Sequence, residues 1–543
     1  MNVAEVVGAT LVSLGADHVF GVVGSGNFHV TNALVAGGAR FVAARHEGGA
    51  ATAADAYARL SGRTGVLSVH QGCGLTNAMT GIAEAAKSRT PLVVLAAEPA
   101  ASALRSNFRV DQEALARAVG AVSDRVHGPQ TAVADAARAW RVASGERRTV
   151  VLNLPLDVQA RPATIASPPP AVVAHPPRAA DAAVAALVEL LERASRPVFI
   201  AGRGALGARA ELEALAAESG ALLATSAVAK GLFAGNAWNL DVSGGFATPL
   251  AATLIPQADL VVAWGASLNM WTTRHGALVG PHATVAQVDL EPAAVGAHHR
   301  VDLGIVGDVG GTARAVLSSI AGAGAGYRSP QVRDRIAVSG RWRDEAYSDV
   351  SDASHIDPRT ASILLDDMLP VDRVVAVDSG NFMGYPSMYL SVPDHRGFCF
   401  TQAFQSVGLG LASAIGAALA SPSRLPVAAC GDGGFLMGIA ELDTVRRLGL
   451  GMLILVYNDE AYGAEVHHFG PAGHPLSTVR FPPTDIAAIG RGHGCAATTV
   501  RKPEDLEAVR AWLDGPREVP MVVDLKVSPS QPSWWLAEAF RGH

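Results

Sequence analysis

Gly431-Asp432-Gly433-Gly434-Phe435 follows the apolar run Leu425 to Cys430, and Asn458-Asp459-Glu460 follows a second apolar run, Met452 to Tyr457, 26 residues after Asp432. Short apolar runs bounded by glycine and acidic residues read as buried strands. Between them, Leu436 to Leu448 has helical spacing. A strand–loop–helix–strand unit brings both strand ends to one edge of a sheet, where open α/β sheets bind ligands. At that edge Asp432 and Asn458, with a nearby backbone carbonyl, suit a hard cation such as Mg²⁺. Gly431, Gly433 and Gly434 let backbone N–H groups approach a phosphate. The stretch therefore reads as a metal-bridged diphosphate site, against the alternative of a β-turn and an unrelated Asn.

Size and composition narrow the classes. The chain has 543 residues, 49% of them apolar and 17% charged. Single cores stop growing near ~250–300 residues, so several domains are expected. A net charge of −6 without a basic stripe argues against nucleic acid. No apolar run reaches the ~18 residues of a membrane span. Met1 to Ala16 carries Glu5 and no basic leader, so it is not read as a signal peptide. Cys73, Cys399, Cys430 and Cys495 show no metal spacing; they are expected to be reduced and buried, which points to the cytoplasm.

Three α/β blocks follow from the alternation of strands and helices: 1–165, 179–320 and 355–530, with a tail, 531–543. The prolines between Arg161 and Arg178 mark a linker. Near-continuous apolar strands argue for three doubly wound parallel-sheet domains, covered on both faces. The middle block carries Gly202-Arg203-Gly204-Ala205-Leu206-Gly207 after a strand, but Ala221 to Val228 lacks the acidic residue of a dinucleotide fingerprint. A nucleotide-dependent oxidoreductase centred there is the alternative from another class.

The block order, with Asp432 and Asn458 at this spacing, resembles the thiamine-diphosphate (ThDP)-dependent decarboxylase and acetolactate synthase superfamily over nearly the whole chain. The resemblance implies a pyrimidine-binding first domain, a diphosphate-binding third domain and a central spacer or nucleotide domain, for which FAD or ADP stays open; Ser267 stands where flavin-binding members have Arg. Arg45-His46-Glu47-Gly48-Gly49-Ala50 resembles the segment whose Glu, here Glu47, hydrogen-bonds the pyrimidine N1′ and lets the cofactor's own 4′-imino group deprotonate C2. The alternative for Glu47 is a helix N-terminal charge. His70 to Asn77 resembles the G-P-G-x-x-N segment, with Cys73 in place of Pro. His70, seven residues before Asn77, and Ser25 in Val23-Gly24-Ser25-Gly26 match benzoylformate-decarboxylase-like members, where such a pair orients a carboxylate and moves protons. A turn serine and a strand-end histidine are the alternatives.

By the same resemblance, Ser379, Gly380, Asn381 and Phe382 contact the diphosphate, Val407 props the cofactor, Gln405 accepts from its 4′-amino group, and Asp432, Asn458 and the Glu460 carbonyl hold the metal. Gly26, Asn107, Gln112, Tyr462, His467 and Trp534 are candidate substrate contacts, the last on a possible lid. Asn107-Phe108-Arg109-Val110 departs from the Phe-Gln-Glu segment of acetolactate synthases. The expected activity is 2-oxo acid decarboxylation or aldehyde carboligation with ThDP and Mg²⁺, on a small 2-oxo acid or aldehyde, in a homodimer or homotetramer whose subunits share each site. Acetolactate synthase and 2-hydroxyacyl-CoA lyase are the alternatives within the fold.

Overall fold

The protein is described by a computed structural model over residues 1–164, 175–322 and 326–536. Pro168, Pro169 and Pro170 of the expected linker and residues 537–543 of the tail lie outside the described residues. Three six-stranded sheets are present, and every pairing between their strands is parallel.

The first sheet contains β1 (His18–Gly21), β2 (Arg40–Ala43), β3 (Gly65–Val69), β4 (Leu92–Glu98), β5 (Val122–Arg125) and β6 (Thr149–Pro155), in the order β2-β1-β3-β4-β6-β5. The second contains β7 (Pro197–Ala201), β8 (Leu222–Thr225), β9 (Asn239–Val242), β10 (Leu260–Trp264), β11 (Thr284–Asp289) and β12 (Leu303–Val306), in the order β12-β11-β10-β7-β8-β9. That is the dinucleotide-fold order. The third contains β13 (Arg373–Val377), β14 (Phe398–Phe400), β15 (Leu425–Gly431), β16 (Leu453–Asn458), β17 (Ala496–Val500) and β18 (Met521–Lys526). Its order, β14-β13-β15-β16-β18-β17, repeats that of the first. Central strands such as β3, β7, β10, β13 and β16 are buried along their whole length, as helices on both faces require.

Each sheet has an inner point where successive connections leave to opposite sides, and loops part there to form a crevice. In the first sheet it lies between β1 and β3, in the second between β7 and β10, in the third between β13 and β15. The loops leaving those strands carry Ser25 and His70, Gly202 and Gly265, and Ser379 and Asp432.

The helix expected over 436–448 is two shorter ones, Asp432–Met437 and Glu441–Arg447. Gly438 between them leaves the helical region at φ −98°, ψ 6°, as glycine's low helix propensity allows. The break matters because it lets Glu441 turn toward the first domain.

The first and third domains pack through Glu47–Ser61 and Gly410–Ala420, two helices built largely from Ala and Gly. One apolar core runs through both, from Ala50 and Ala54 to Leu411 and Ile415. The helices approach so closely that a Cβ on Gly416 would lie 2.1 Å from the Ala53 carbonyl oxygen. Among the described residues no helix is long and apolar enough to cross a membrane. All four cysteines are unpaired; Cys399, Cys430 and Cys495 are buried, whereas Cys73 is exposed, because it opens the helix Cys73–Lys87 at the sheet edge.

Gly416→Val should force these two helices apart. Overpacking of this kind costs about 1–3 kcal/mol, and a lowered urea midpoint is the expected reading.

Candidate active site

In the first domain, the loop after β1 places Ser25 Oγ 3.3 Å from His70 Nε2. His70 Nδ1 lies 3.0 Å from the Gln71 carbonyl oxygen. A carbonyl can only accept, so Nδ1 carries the proton, Nε2 accepts, and the Ser25 hydroxyl donates. The Phe108 ring stands edge-on to His70, centroids 5.0 Å apart, and fixes its plane. Glu47 begins the helix Glu47–Ser61, so its helix-terminal placement is real; its Oε2 accepts from Asn77 Nδ2 at 3.1 Å. His70 and Glu47 both pack on Gly74. Ser25, His70, Glu47 and Asn77 are thereby gathered on one edge of one domain.

The substrate candidates of this half divide. Gly26 is buried against Gln71, whose Oε1 is buried with no hydrogen-bond partner among the described residues. Asn107 is exposed. Gln112 is buried and its amide is fully engaged: Oε1 accepts from Gly72 N at 3.0 Å, while Nε2 donates to Ala97 O and Asn153 Oδ1. Gln112 therefore braces the His70–Gly74 loop from below rather than facing a pocket.

In the third domain, Asp432 opens its short helix at the end of β15. Burial pushes its carboxyl up to about 6; burial and then the Asp432 charge push Asp459 up to about 8. Lys526 offsets Asp432 only in part, since it already pairs with Glu460 at 3.2 Å and with Asp524 at 3.6 Å. Asn458 is buried, and Asp524 Oδ1 accepts from its Nδ2 at 2.8 Å, which fixes the orientation of the amide oxygen. Two partly buried carboxylates with incomplete compensation, beside an oriented amide oxygen, are a donor set that fits a divalent cation. Among the described residues no three His, Cys, Asp or Glu side chains form a metal cluster; an Asp–Asn–carbonyl set is of a different kind.

Gln405 and Glu460, the two residues expected to act through main-chain carbonyls, are both left-handed at φ 58° and 56°. Such non-glycine strain costs about 1–3 kcal/mol and collects at functional sites. Glu460 O accepts from Phe481 N at 2.9 Å, leaving one lone pair. Behind the loops sits Asp378, raised to about 6 by burial, which accepts from Ser379 N, Gly408 N and Leu409 N. Gly434 lies against it, and a Cβ there would be 2.4 Å from the carboxylate. Ser379, Gly380, Asn381, Phe382, Gln405, Val407, Gly431, Asp432, Gly433, Gly434 and Tyr462 line one cavity.

Trp535, not Trp534, lines that cavity: its Nε1 donates to Asn381 O at 3.1 Å. Trp534 instead packs on Trp342, with Arg274 over its ring. His467 is half-buried, with burial lowering its pKa, and is not part of the lining. Glu465, which the sequence reading passed over, does line it; its N–H donates to Tyr462 O, and its carboxylate has no hydrogen-bond or ion-pair partner among the described residues.

The cavity, about 1810 Å³, extends to the switch point of the second sheet. Its far wall holds Arg59, Lys87, Arg89, Arg147, Arg148 and Arg203 beside Gly202, Gly204 and Gly265. Burial, with Arg59 and Arg147 nearby, lowers the Arg203 guanidinium to about 9. None of Ser25, Glu47, His70 and Asn77 lines the cavity, so one chain carries the two halves of the expected site apart.

Three family models match in chain order: the N-terminal TPP binding domain of thiamine pyrophosphate enzymes over residues 1–119, their central domain over 184–316 and their C-terminal TPP binding domain over 378–525. The chain belongs to the thiamine-diphosphate-dependent decarboxylase and acetolactate synthase superfamily. A probable 2-ketoarginine decarboxylase of Pseudomonas aeruginosa is 31% identical over 92% of this chain and 88% of its own. Acetolactate synthase isozyme 2 large subunit of Escherichia coli is 29% identical over 85% of this chain and 84% of its own. Sulfoacetaldehyde acetyltransferase of Alcaligenes xylosoxydans xylosoxydans is 28% identical over 86% and 82%.

Gln112→Ala should leave the buried Gly72 amide, Ala97 carbonyl and Asn153 amide short of partners. The expected loss is at least about 1–3 kcal/mol, with faster hydrogen exchange at Gly72 marking the loosened loop.

Proposed function

We propose that this protein is a ThDP- and Mg²⁺-dependent lyase or carboligase that breaks or forms a C–C bond next to a carbonyl, acting on 2-oxo acids or aldehydes. The observation that carries this reading is the Ser25–His70 contact on the same domain edge as Glu47. Bound ThDP would supply the carbon nucleophile and electron sink that C–C cleavage needs. Ser379 to Phe382 and Gly431 to Gly434 would receive its diphosphate, Asp432, Asn458 and the Glu460 carbonyl the metal, and Val407, Gln405 and Glu47 its ring system. Ser25 orients the substrate carboxylate, and His70 holds and returns the proton that replaces CO₂ on carbon. The Phe-Gln-Glu segment of acetolactate synthases is replaced here, which favours decarboxylation or aldehyde ligation over acetolactate formation.

Substrate choice is set by the C-terminal wall. The Glu465 carboxylate, without a partner among the described residues, favours a 2-oxo acid whose side chain carries a positive charge, in keeping with the name of one relative. A CO₂-release screen over 2-ketoarginine, pyruvate, branched and aromatic 2-oxo acids, with and without an aldehyde acceptor, tests both reaction and substrate. Robust acetolactate formation from pyruvate alone would overturn the choice of branch.

The separation of the two half-sites supports a homo-oligomer in which Glu47 of one subunit meets Asp432 of another. Glu47→Gln should lower turnover by about 10²–10⁴, the worth of a positioned acid–base group, and Asp432→Ala should abolish Mg²⁺-dependent ThDP binding in calorimetry. Mixing the two inactive variants under conditions of subunit exchange should restore activity; an active monomer by light scattering would refute shared sites. The four unpaired cysteines fit a cytoplasmic location.

The cationic wall beside the second switch point supports a nucleotide diphosphate there, ADP or FAD. Titration with each should show binding that Arg203→Ala weakens at least tenfold; no binding of either leaves the central domain a spacer.

A further inference from the structure

Two buried carboxylates cross the boundary between the first and third domains in opposite directions. Glu84, on the first-domain helix Cys73–Lys87, is 0% exposed. Its Oε1 accepts from Ala403 N at 3.0 Å and its Oε2 from Phe404 N at 2.6 Å. Those two amides immediately precede Gln405, the left-handed residue on the rim of the cavity. Arg59 holds Glu84 from behind: its Nη2 donates to Glu84 Oε1 and Ser88 Oγ, each at 2.6 Å, while Nη1 donates to Phe400 O at 3.0 Å, at the start of the same loop.

Glu441, on the third-domain helix Glu441–Arg447, is 3% exposed. Its Oε1 accepts from Arg45 N at 3.1 Å and His46 N at 3.0 Å, and its Oε2 from Thr444 Oγ1 at 2.6 Å. Those two amides immediately precede Glu47. The arrangement is reciprocal. Each domain contributes one buried carboxylate, and each carboxylate grips two successive main-chain amides just before a residue of the other domain's half-site.

We propose that Glu84 and Glu441 are positioning residues for the cofactor site: Glu84 fixes the loop carrying Gln405 and Val407, and Glu441 fixes the backbone that aims Glu47. Neither touches the cavity, so each acts through the amides it holds. Charge-assisted bonds from a carboxylate to consecutive amides are short and directional. They fix a segment whose own backbone is strained at Gln405 and that would otherwise have no partner for those amides. The sequence carried no sign of this. Glu84 is the one acidic residue of its helix and Glu441 one of two on its own, and their partners lie 319 and 395 residues away.

This inference rests on the proposed function, and the test separates the two. ThDP affinity in saturating Mg²⁺ is measured by tryptophan fluorescence, well below each variant's melting temperature, and C2 hydrogen–deuterium exchange of bound ThDP by NMR. Wild-type protein that does not bind ThDP overturns the proposed function itself. With wild-type binding established, Glu84→Ala should raise the ThDP Kd at least tenfold, and Glu84→Gln, whose amide oxygen still accepts, should recover much of that loss. Asp55→Asn is the control. It weakens the same buried network, since Asp55 pairs with Arg59 and Thr90 but touches neither loop, so it should lower the melting temperature and leave Kd within twofold. Glu441→Gln should leave Kd within about threefold and slow C2 exchange at least tenfold. An unchanged Kd in Glu84→Ala, or an equal rise in Asp55→Asn, overturns the role of Glu84; normal C2 exchange in Glu441→Gln overturns that of Glu441. If Glu84→Ala does not fold, Phe404→Pro, which removes the amide that Glu84 Oε2 accepts, carries the same expected rise in Kd and the same overturning result.

Discussion

The close packing of Glu47–Ser61 against Gly410–Ala420 is the constraint on which the site depends. Two Ala- and Gly-rich faces allow backbones to approach to a distance that larger side chains would forbid, and interiors at such density transmit displacement rather than absorb it. Glu47 is the first residue of one of these helices, and the loop carrying Gln405, Val407 and Gly408 leads directly into the other. A shift of either helix therefore moves a cofactor-facing element of its own domain. The buried group of Arg59, Asp55 and Glu84 lies beside this contact, and breaking one partner of such a group costs about 3–5 kcal/mol because the others stay buried. The group is thus a poor route to stability but a strong determinant of geometry.

The three sheets use one topological device for different ends. In the first and third, with the same strand order, the crevice at the switch point holds Ser25 with His70 and Ser379 with Asp432. In the second, with dinucleotide order, it holds glycines and arginines, continuous with the third-domain crevice through a single cavity. The electrostatics follow this division. Carboxylates raised by burial line the third-domain part of the cavity, and a guanidinium lowered by burial lines the second-domain part.

Much of this was legible in the chain. The parallel class of all three sheets follows from apolar runs too continuous to be half-exposed. The glycines, Asp432 and Asn458 were readable because loops at strand ends are short and their chemistry is local. Ser25, His70 and Glu47 were singled out only through the resemblance of their segments to a family. What misled was contact at a distance. Gln112 was read toward a pocket and instead braces Gly72, because nothing local shows which face of a helix an amide side chain serves. Trp534 and Trp535 are indistinguishable as neighbours in sequence, and only the packing of Trp535 on Asn381 separates them.

The sequence by itself determined the number and class of the domains and the identity of the groups that end their strands, since periodicity and local turn chemistry act over a few residues. The tertiary structure alone decided how those groups are aimed. Glu84 and Glu441 hold amides more than 300 residues away; Arg59, Arg147 and Arg203 converge from two domains on one wall; and Asp432 and Asp459 acquire their shifted carboxyls from burial that no linear pattern records. Hydrogen bonding and desolvation depend on which surfaces meet, and in this chain the surfaces that meet come from opposite ends.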